Sequence, residues 1–252
     1  MTLSLSGSIG RHYELDVAFG LIDGASFVTA LGYNADIDAA EDVWSGGGFY
    51  PWMTGATSLE ILSASAADAA AGTGARSVVI VGLNAAYAVV TQTVTLNGVT
   101  PVAIPTSLFR INNAYIISAG SWQINAGDIT IRDAGAGTTR AVLPLGFGVV
   151  RQSQYTVPAG FTLALSSLSY GIVRPDSSRD VAVSGYVGFP TLGIYQIYAE
   201  ISIGSNPFGI NLLAPFPIGE KTDFGLRCTS VSATNTQLSA GWGGILHDNS
   251  KL

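Results

Sequence analysis

The stretch Ala75–Gly98, ARSVVIVGLNAAYAVVTQTVTLNG, constrains the chain most strongly. Val78, Val79, Ile80 and Val81 form one apolar run closed by Gly82, and Val89–Leu96 forms a second, closed by Asn97-Gly98. β-Branched residues stiffen the side chain and favour the pleated backbone of a strand. Asn-Gly tolerates the positive φ angles of a two-residue hairpin turn, so a further strand, Val99–Ile104, is expected to fold back. No residue here carries chemistry. It is scaffold.

The rest of the chain repeats the theme. Candidate strands in the first part are Tyr13–Val17, Val78–Val81, Ala88–Leu96, Val99–Ile104, Ala114–Ser118, Asp128–Arg132 and Thr138–Leu143. Thr162–Leu168, Val181–Val187, Tyr195–Ile203, Gly209–Leu213, Asp223–Val231 and Thr236–Leu246 follow. Tyr195–Ile203 alternates: Tyr195, Ile197, Ala199, Ile201 and Ile203 share one face, and Gln196, Tyr198, Glu200 and Ser202 the other, as in a half-buried strand. Helical signals are few. Ser58–Ala71 is Ala-rich and suits one helical turn, although its start, Leu59-Glu60-Ile61-Leu62, fits a strand equally well. Short strands at this spacing predict a mostly β fold of the sandwich or jelly-roll type. The expected organisation is an N-terminal arm and first strand (residues 1–40), a β domain (41–150) and a jelly-roll-like β-sandwich domain (151–252), divided at the polar stretch Arg151–Gln154.

Only 11% of the 252 residues are charged, against an average of about 25%. One explanation is a surface covered by other protein chains; the alternative is a β-protein with a Ser/Thr/Asn surface. The net charge is −6, and the nine Arg and two Lys are scattered singly. Nucleic-acid binding needs a basic footprint, which this chain lacks. The uncharged spans Ser77–Phe109 and Ile201–Gly219 are interrupted by Asn, Gln and Pro, so neither offers the run of roughly 20 apolar residues of a spanning helix. The strands are too short, and their apolar runs too continuous, to favour an outer-membrane barrel. Met1–Gly20 does not read as a secretory signal. Cys228, the single cysteine, has strand-like flanks and is expected to be a buried thiol.

Several motifs occur in a fixed order: Glu41-Asp42-Val43-Trp44, Leu59-Glu60-Ile61, Gly72-Thr73-Gly74-Ala75-Arg76, Gly82-Leu83-Asn84 and Val94–Gly98. Then come Phe109-Arg110-Ile111, Ala119-Gly120-Ser121, Asn125–Ile129, Tyr155–Gly160, Glu220-Lys221-Thr222-Asp223 and Ser239–Leu246. In this order they resemble a group of tailed-bacteriophage virion structural proteins. The resemblance implies a location in the virion, with other virion proteins, the major capsid protein among them, as partners.

Candidate chemistry is sparse. His12 and His247 lie near opposite ends, and neither accompanies a G-x-S-x-G nucleophile elbow. Asp36, Asp38, Glu41 and Asp42 could pair carboxylates on a cation, but lack the spacing of a known calcium loop. Gly72–Arg76 precedes a strand and lacks Gly-Lys-Ser/Thr, so it reads as a tight turn, with Arg76 placed to brace a loop carboxylate. Trp44, Tyr50 and Trp52 flank Gly46–Gly48 and Pro51, where they stack on sugars, insert into a partner protein or plug the end of a sandwich.

These features predict a non-enzymatic structural protein that decorates or cements a phage capsid exterior. It is expected as a homotrimer, with no cofactor, nucleic acid or membrane. Trp44, Tyr50 and Trp52 are its candidate interface. The alternative is a tail or baseplate component that binds a host receptor or glycan. Met1–Gly10 and strand Tyr13–Val17 are expected to reach a neighbouring subunit's sheet edge.

Overall fold

The computed structural model describes residues 13–173, 179–203 and 207–251. Its order is α1 (Tyr13–Ala18), β1 (Ala25–Ile37), β2 (Glu41–Asp42), β3 (Leu59–Ser63), β4 (Ala75–Leu83), β5 (Val89–Thr95), β6 (Val102–Ala103), β7 (Arg110–Ala119), β8 (Ile129–Asp133) and β9 (Thr139–Leu143). β10 (Tyr155–Thr156), β11 (Phe161–Ile172), β12 (Val181–Phe189), β13 (Ile194–Ile203), β14 (Phe208–Ile218), β15 (Asp223–Val231) and β16 (Thr236–Asp248) complete it. The protein is mostly β, and its sheets are antiparallel.

Four sheets enclose two apolar cores. One sheet runs β1-β16-β11-β14; a second runs β10-β15-β12-β13, with β2 also on β15. Between them lie Ile37, Val43, Leu163, Leu165, Val183, Leu226, Cys228, Leu238 and Trp242. The other pair runs β6-β3-β8-β9 and β5-β4-β7. It encloses Leu59, Ile61, Val78, Ile80, Leu83, Ile111, Ile129, Ile131 and Leu143. The strands of β4 follow the sequence reading: the Val78–Val81 run sits in the middle of a three-stranded sheet, where both faces can be covered.

The sheets do not follow the expected linear division. β1 pairs with β16 along most of its length, from Ala25 opposite His247 to Asn34 opposite Leu238. β2 pairs with β15 through Asp42 opposite Arg227. Residues 25–43 therefore complete the same core as residues 155–248, and the chain between them forms the second unit. Close backbone approach fixes this start: a Cβ on Gly32 would lie 2.1 Å from the Val43 carbonyl oxygen.

Three local expectations are corrected. Tyr13–Val17 lies in a helix, not in an edge strand; Val17 is buried, and Tyr13 stacks on His247 with ring centroids 6.4 Å apart. Residues 1–12, with His12 and most of the expected arm, lie outside the described residues. Asn97-Gly98 does turn, with Gly98 at φ 60°, but β5 pairs with β4 while β6 pairs with β3, so no hairpin forms there. Asn97 does not share the positive φ that a type I′ hairpin needs at both turn residues. Finally, the alternation of β13 is broken: Gly185 faces Ala199 and Tyr186 faces Ile197, leaving Tyr198 as an extra residue. Ile197 is 60% exposed and Tyr198 50%, so neither face of β13 is buried there.

In the Ser58–Ala71 stretch, the strand reading holds for Leu59–Ser63. The turns that follow are organised by Asp68, which is fully buried. Its Oδ1 accepts from the Ala75 and Ala126 amides at 2.7 and 2.8 Å, and its Oδ2 from Ser63 Oγ and the Gly127 amide at 2.6 and 3.1 Å. Asp68, not Arg76, is the brace. Arg76 instead donates from Nε to the Gly72 carbonyl.

Candidate functional site

The polar groups of this chain converge on the seam between the two cores. Phe109-Arg110-Ile111 opens β7, and Asp223 opens β15. Arg110 donates from Nε to Asp223 Oδ1 and from Nη2 to Asp223 Oδ2, each at 2.9 Å. The Arg110 Nη1 group donates to the carbonyls of Met53 and Phe109 at 2.6 and 2.8 Å. Asp223 also accepts from Thr156 Oγ1 at 2.6 Å. Burial pushes the Asp223 carboxyl up from its ordinary range, and Arg110 and Thr156 pull the other way.

A second pair lies beside it. Arg227 Nε donates to Asp42 Oδ1 at 2.7 Å, and the Tyr50 amide donates to Asp42 Oδ2 at the same distance. Asp42 is likewise pushed up by burial against the pull of Arg227. The Arg227 guanidinium lies 4.6 Å from the ring centroids of both Tyr186 and Phe49.

The aromatic residues picked out by the sequence form a ladder in this seam. Trp44 and Tyr50 meet edge to face at 5.0 Å, Tyr50 and Trp52 at 4.7 Å, and Arg110 lies 5.1 Å from the Trp52 ring. Trp44 and Tyr50 are buried, and Trp52 is half-buried. Trp44 Nε1 donates to the Gly48 carbonyl at 3.1 Å, which curls the Gly-rich loop back over its own ring. The side chains expected at an intersubunit contact are thus packed within their own chain. Burial holds the Tyr50 and Tyr186 hydroxyls well above the ordinary phenol range.

Arg151–Gln154, the expected domain boundary, passes through the same seam. Gln152, Ser153 and Gln154 are buried. Gln152 Nε2 donates to the Ile111 carbonyl at 2.8 Å, the Ser153 amide to Val43 O at 3.1 Å, and the Leu226 amide to Ser153 Oγ at 3.1 Å. Asn112 adds a two-way bridge to the Thr156 backbone, 3.0 Å in one direction and 2.8 Å in the other. A polar stretch that reads as a domain boundary is therefore a strap, buried at Gln152–Gln154, whose side chains meet backbone groups of both units.

The remaining candidates are dispersed. Glu41 accepts from Asn34 Nδ2 and the Gly48 amide, and Asp38 from the Asn235 amide, so these carboxylates face protein donors in different directions. Among the described residues, no three His, Cys, Asp or Glu side chains come together as a metal site. Cys228 is fully buried, and burial pushes its thiol up to about 11. Asp42 and Asp223 are each enclosed and clasped by an arginine, which suits them to holding elements together. No helix among the described residues is long and apolar enough to cross a membrane.

Phe109–Ile111 and Glu220–Asp223 both stand out as motifs, but nothing in the sequence joins Arg110 to Asp223. A local signal existed only for the arginine, a charge set inside an apolar strand start.

No protein family's sequence pattern matches this chain, and no curated protein matches it. A solved structure of the infectious bursal disease virus Gt strain aligns with it at a TM-score of 0.25 and 12% identity, covering 91% of this chain and 74% of that one. A TM-score this low carries no argument about fold or role.

Proposed function

We propose that this chain is a non-enzymatic structural protein of a tailed-phage virion that decorates or cements the capsid exterior in many copies. The observation that carries the reading is a division of labour in the polar groups. Arg110, Asp223, Asp42 and Arg227 are spent internally: Arg110 on Asp223 across the two β units, and Arg227 on Asp42 within one of them. The outer surface instead exposes large apolar side chains: Leu192 is 68% exposed, Ile117 60%, Trp122 58% and Leu145 58%. Such a surface suits contact with other proteins.

We extend this proposal to a jelly-roll architecture for the first core. Counting β1, β2 and β11 to β16 as strands one to eight, the two sheets around the first core run 1-8-3-6 and 2-7-4-5. That is the strand order of a jelly roll, an architecture used by viral capsid and lectin domains. The second β unit is then an insertion between strands two and three. With a net charge of −6 and no basic cluster, the chain is suited to neither packaged DNA nor an anionic membrane surface. Its partners would be the major capsid protein and further copies of itself, as a homotrimer. The receptor- or glycan-binding alternative relied on loop aromatics, and two of those, Trp44 and Tyr50, are buried.

Gel densitometry of purified particles tests this directly. Hundreds of copies per virion are expected. A few dozen or fewer would move the protein to the tail, and its absence from particles would overturn the reading.

A further inference from the structure

β13 is an edge strand of unusual character. Among the described residues it ends its sheet, pairing with β12 on one side only. Edge strands are normally blunted by lysines, prolines or covering elements, because a free apolar edge invites pairing with another chain. β13 has ten residues, neither lysine nor proline, and Glu200 as its single charge. Both of its faces are exposed where they are apolar: Tyr195 at 51%, Ile197 at 60% and Tyr198 at 50%, with Leu192 in the preceding turn at 68%. Phe208, at the start of β14, is 46% exposed.

We infer that β13 is the strand through which this chain associates with a second copy of itself, by edge pairing and by covering these side chains. The inference rests on the assembly reading above and names the surface that carries it. Two arguments identify the occupant. The first is charge. The chain is at −6, so two copies meet without repulsion only through a nearly uncharged surface, and from Phe189 to Ile218 Glu200 is the only charged residue. The second is the edge itself: Leu192, Ile194, Tyr195, Ile197 and Tyr198 flank the β13 backbone on both faces, so a strand of a second copy laid along it meets apolar side chains on either side. Among the described residues the outer backbone edge of β13 pairs with no other strand, and it sets the register. The bulge at Tyr198 supports this use. It adds Tyr198, half exposed and with its ring 4.9 Å from that of Phe216 on β14, to the apolar side chains along the strand.

The test is the oligomeric mass of the purified full chain by analytical ultracentrifugation across concentration. The wild type is expected to form a defined oligomer. Ile197→Glu places a carboxylate at the centre of the contact and should weaken association at least about tenfold, with an unchanged circular dichroism spectrum. Leu192→Glu, in an exposed turn, is the second variant should Ile197→Glu fold poorly, and should weaken association in the same direction. Leu145→Glu, equally exposed but on the other unit, should leave the mass unchanged. A monomeric wild type overturns the inference, as does a folded Ile197→Glu or Leu192→Glu variant with wild-type mass. Particle densitometry separates this from the virion reading. A protein abundant in particles yet insensitive to these substitutions would retain its location and lose this surface. One that associates through β13 but is absent from particles would do the reverse.

Discussion

Arg110 and Asp223 meet fork to fork, Nε to Oδ1 and Nη2 to Oδ2 each at 2.9 Å, across 113 residues of chain. Their side chains are 3% and 1% exposed. One residue opens a strand of the inserted unit and the other a strand of the enclosing one, so the pair ties the two cores together. A buried pair of this kind is weak evidence of net stabilisation, because desolvating both charges offsets much of their attraction. Breaking it is another matter. Asp223→Leu or Arg110→Met should each cost about 3–5 kcal/mol, since each leaves a buried charge without its counterpart. Arg110→Met combined with Asp223→Leu should recover most of that loss. Urea unfolding of the four proteins in a double-mutant cycle checks this, and additive losses would show that the two residues act independently.

Trp44→Ala should destabilise the isolated subunit by about 3–5 kcal/mol, as expected for emptying the site of a buried aromatic. It should leave the oligomeric mass unchanged, because Trp44 packs on Tyr50 and Gly46 of its own chain. Thermal melting and ultracentrifugation of one preparation decide the point. A variant with normal stability but impaired assembly would return Trp44 to the subunit interface.

Asp68→Asn tests the turn after β3. The carboxylate accepts four hydrogen bonds through its two oxygens, whereas an amide turns one of those positions into a donor. A loss of about 3 kcal/mol is expected, because buried donors are left facing an NH2 group. A melting curve superimposable on the wild type would refute this role.

Stability should fall steeply in alkali. Burial raises the Cys228 thiol from 9.0 to about 11, and the Tyr170 phenol from 10.0 to about 12. A native pKa above the unfolded value means that the native state keeps a proton the unfolded chain has released. Each contribution is therefore whole below the unfolded pKa and is lost as pH rises through the native one, by up to about 1.4 kcal/mol per pH unit per group. Urea midpoints should hold to about pH 9 and then decline. Cys228→Ala should flatten the decline between pH 9 and 10 relative to wild type, and an unchanged slope there would assign the loss to other groups.

The β character of this protein is legible locally. The Val78–Val81 run becomes the middle strand of its sheet, and Leu59–Ser63 becomes a strand despite the Ala-rich tail behind it. β-Branched side chains restrict their own backbone, so a window of a few residues carries that information. Cys228 is also readable, because a thiol between strand-forming neighbours has no better place than a core. Pairing is different. Nothing near Ala25–Ile37 announces His247 as a partner, and nothing near Asn97-Gly98 says that β5 and β6 will join different sheets. Those choices rest on which remote surfaces exclude water from each other, a property of two segments at once. The candidate site follows the same rule. Trp44, Tyr50 and Trp52 could be picked out as aromatic and loop-borne, but whether they faced solvent, a neighbour or their own core depended on the Arg110 and Asp223 strands closing over them. Arg151–Gln154 reads as a domain boundary because each side chain is polar, yet Gln152 and Ser153 find backbone partners at Ile111 and Leu226, far away in the chain. Local conformational preference is written in adjacent residues; desolvation and long-range hydrogen bonding are settled only when distant parts of the chain meet.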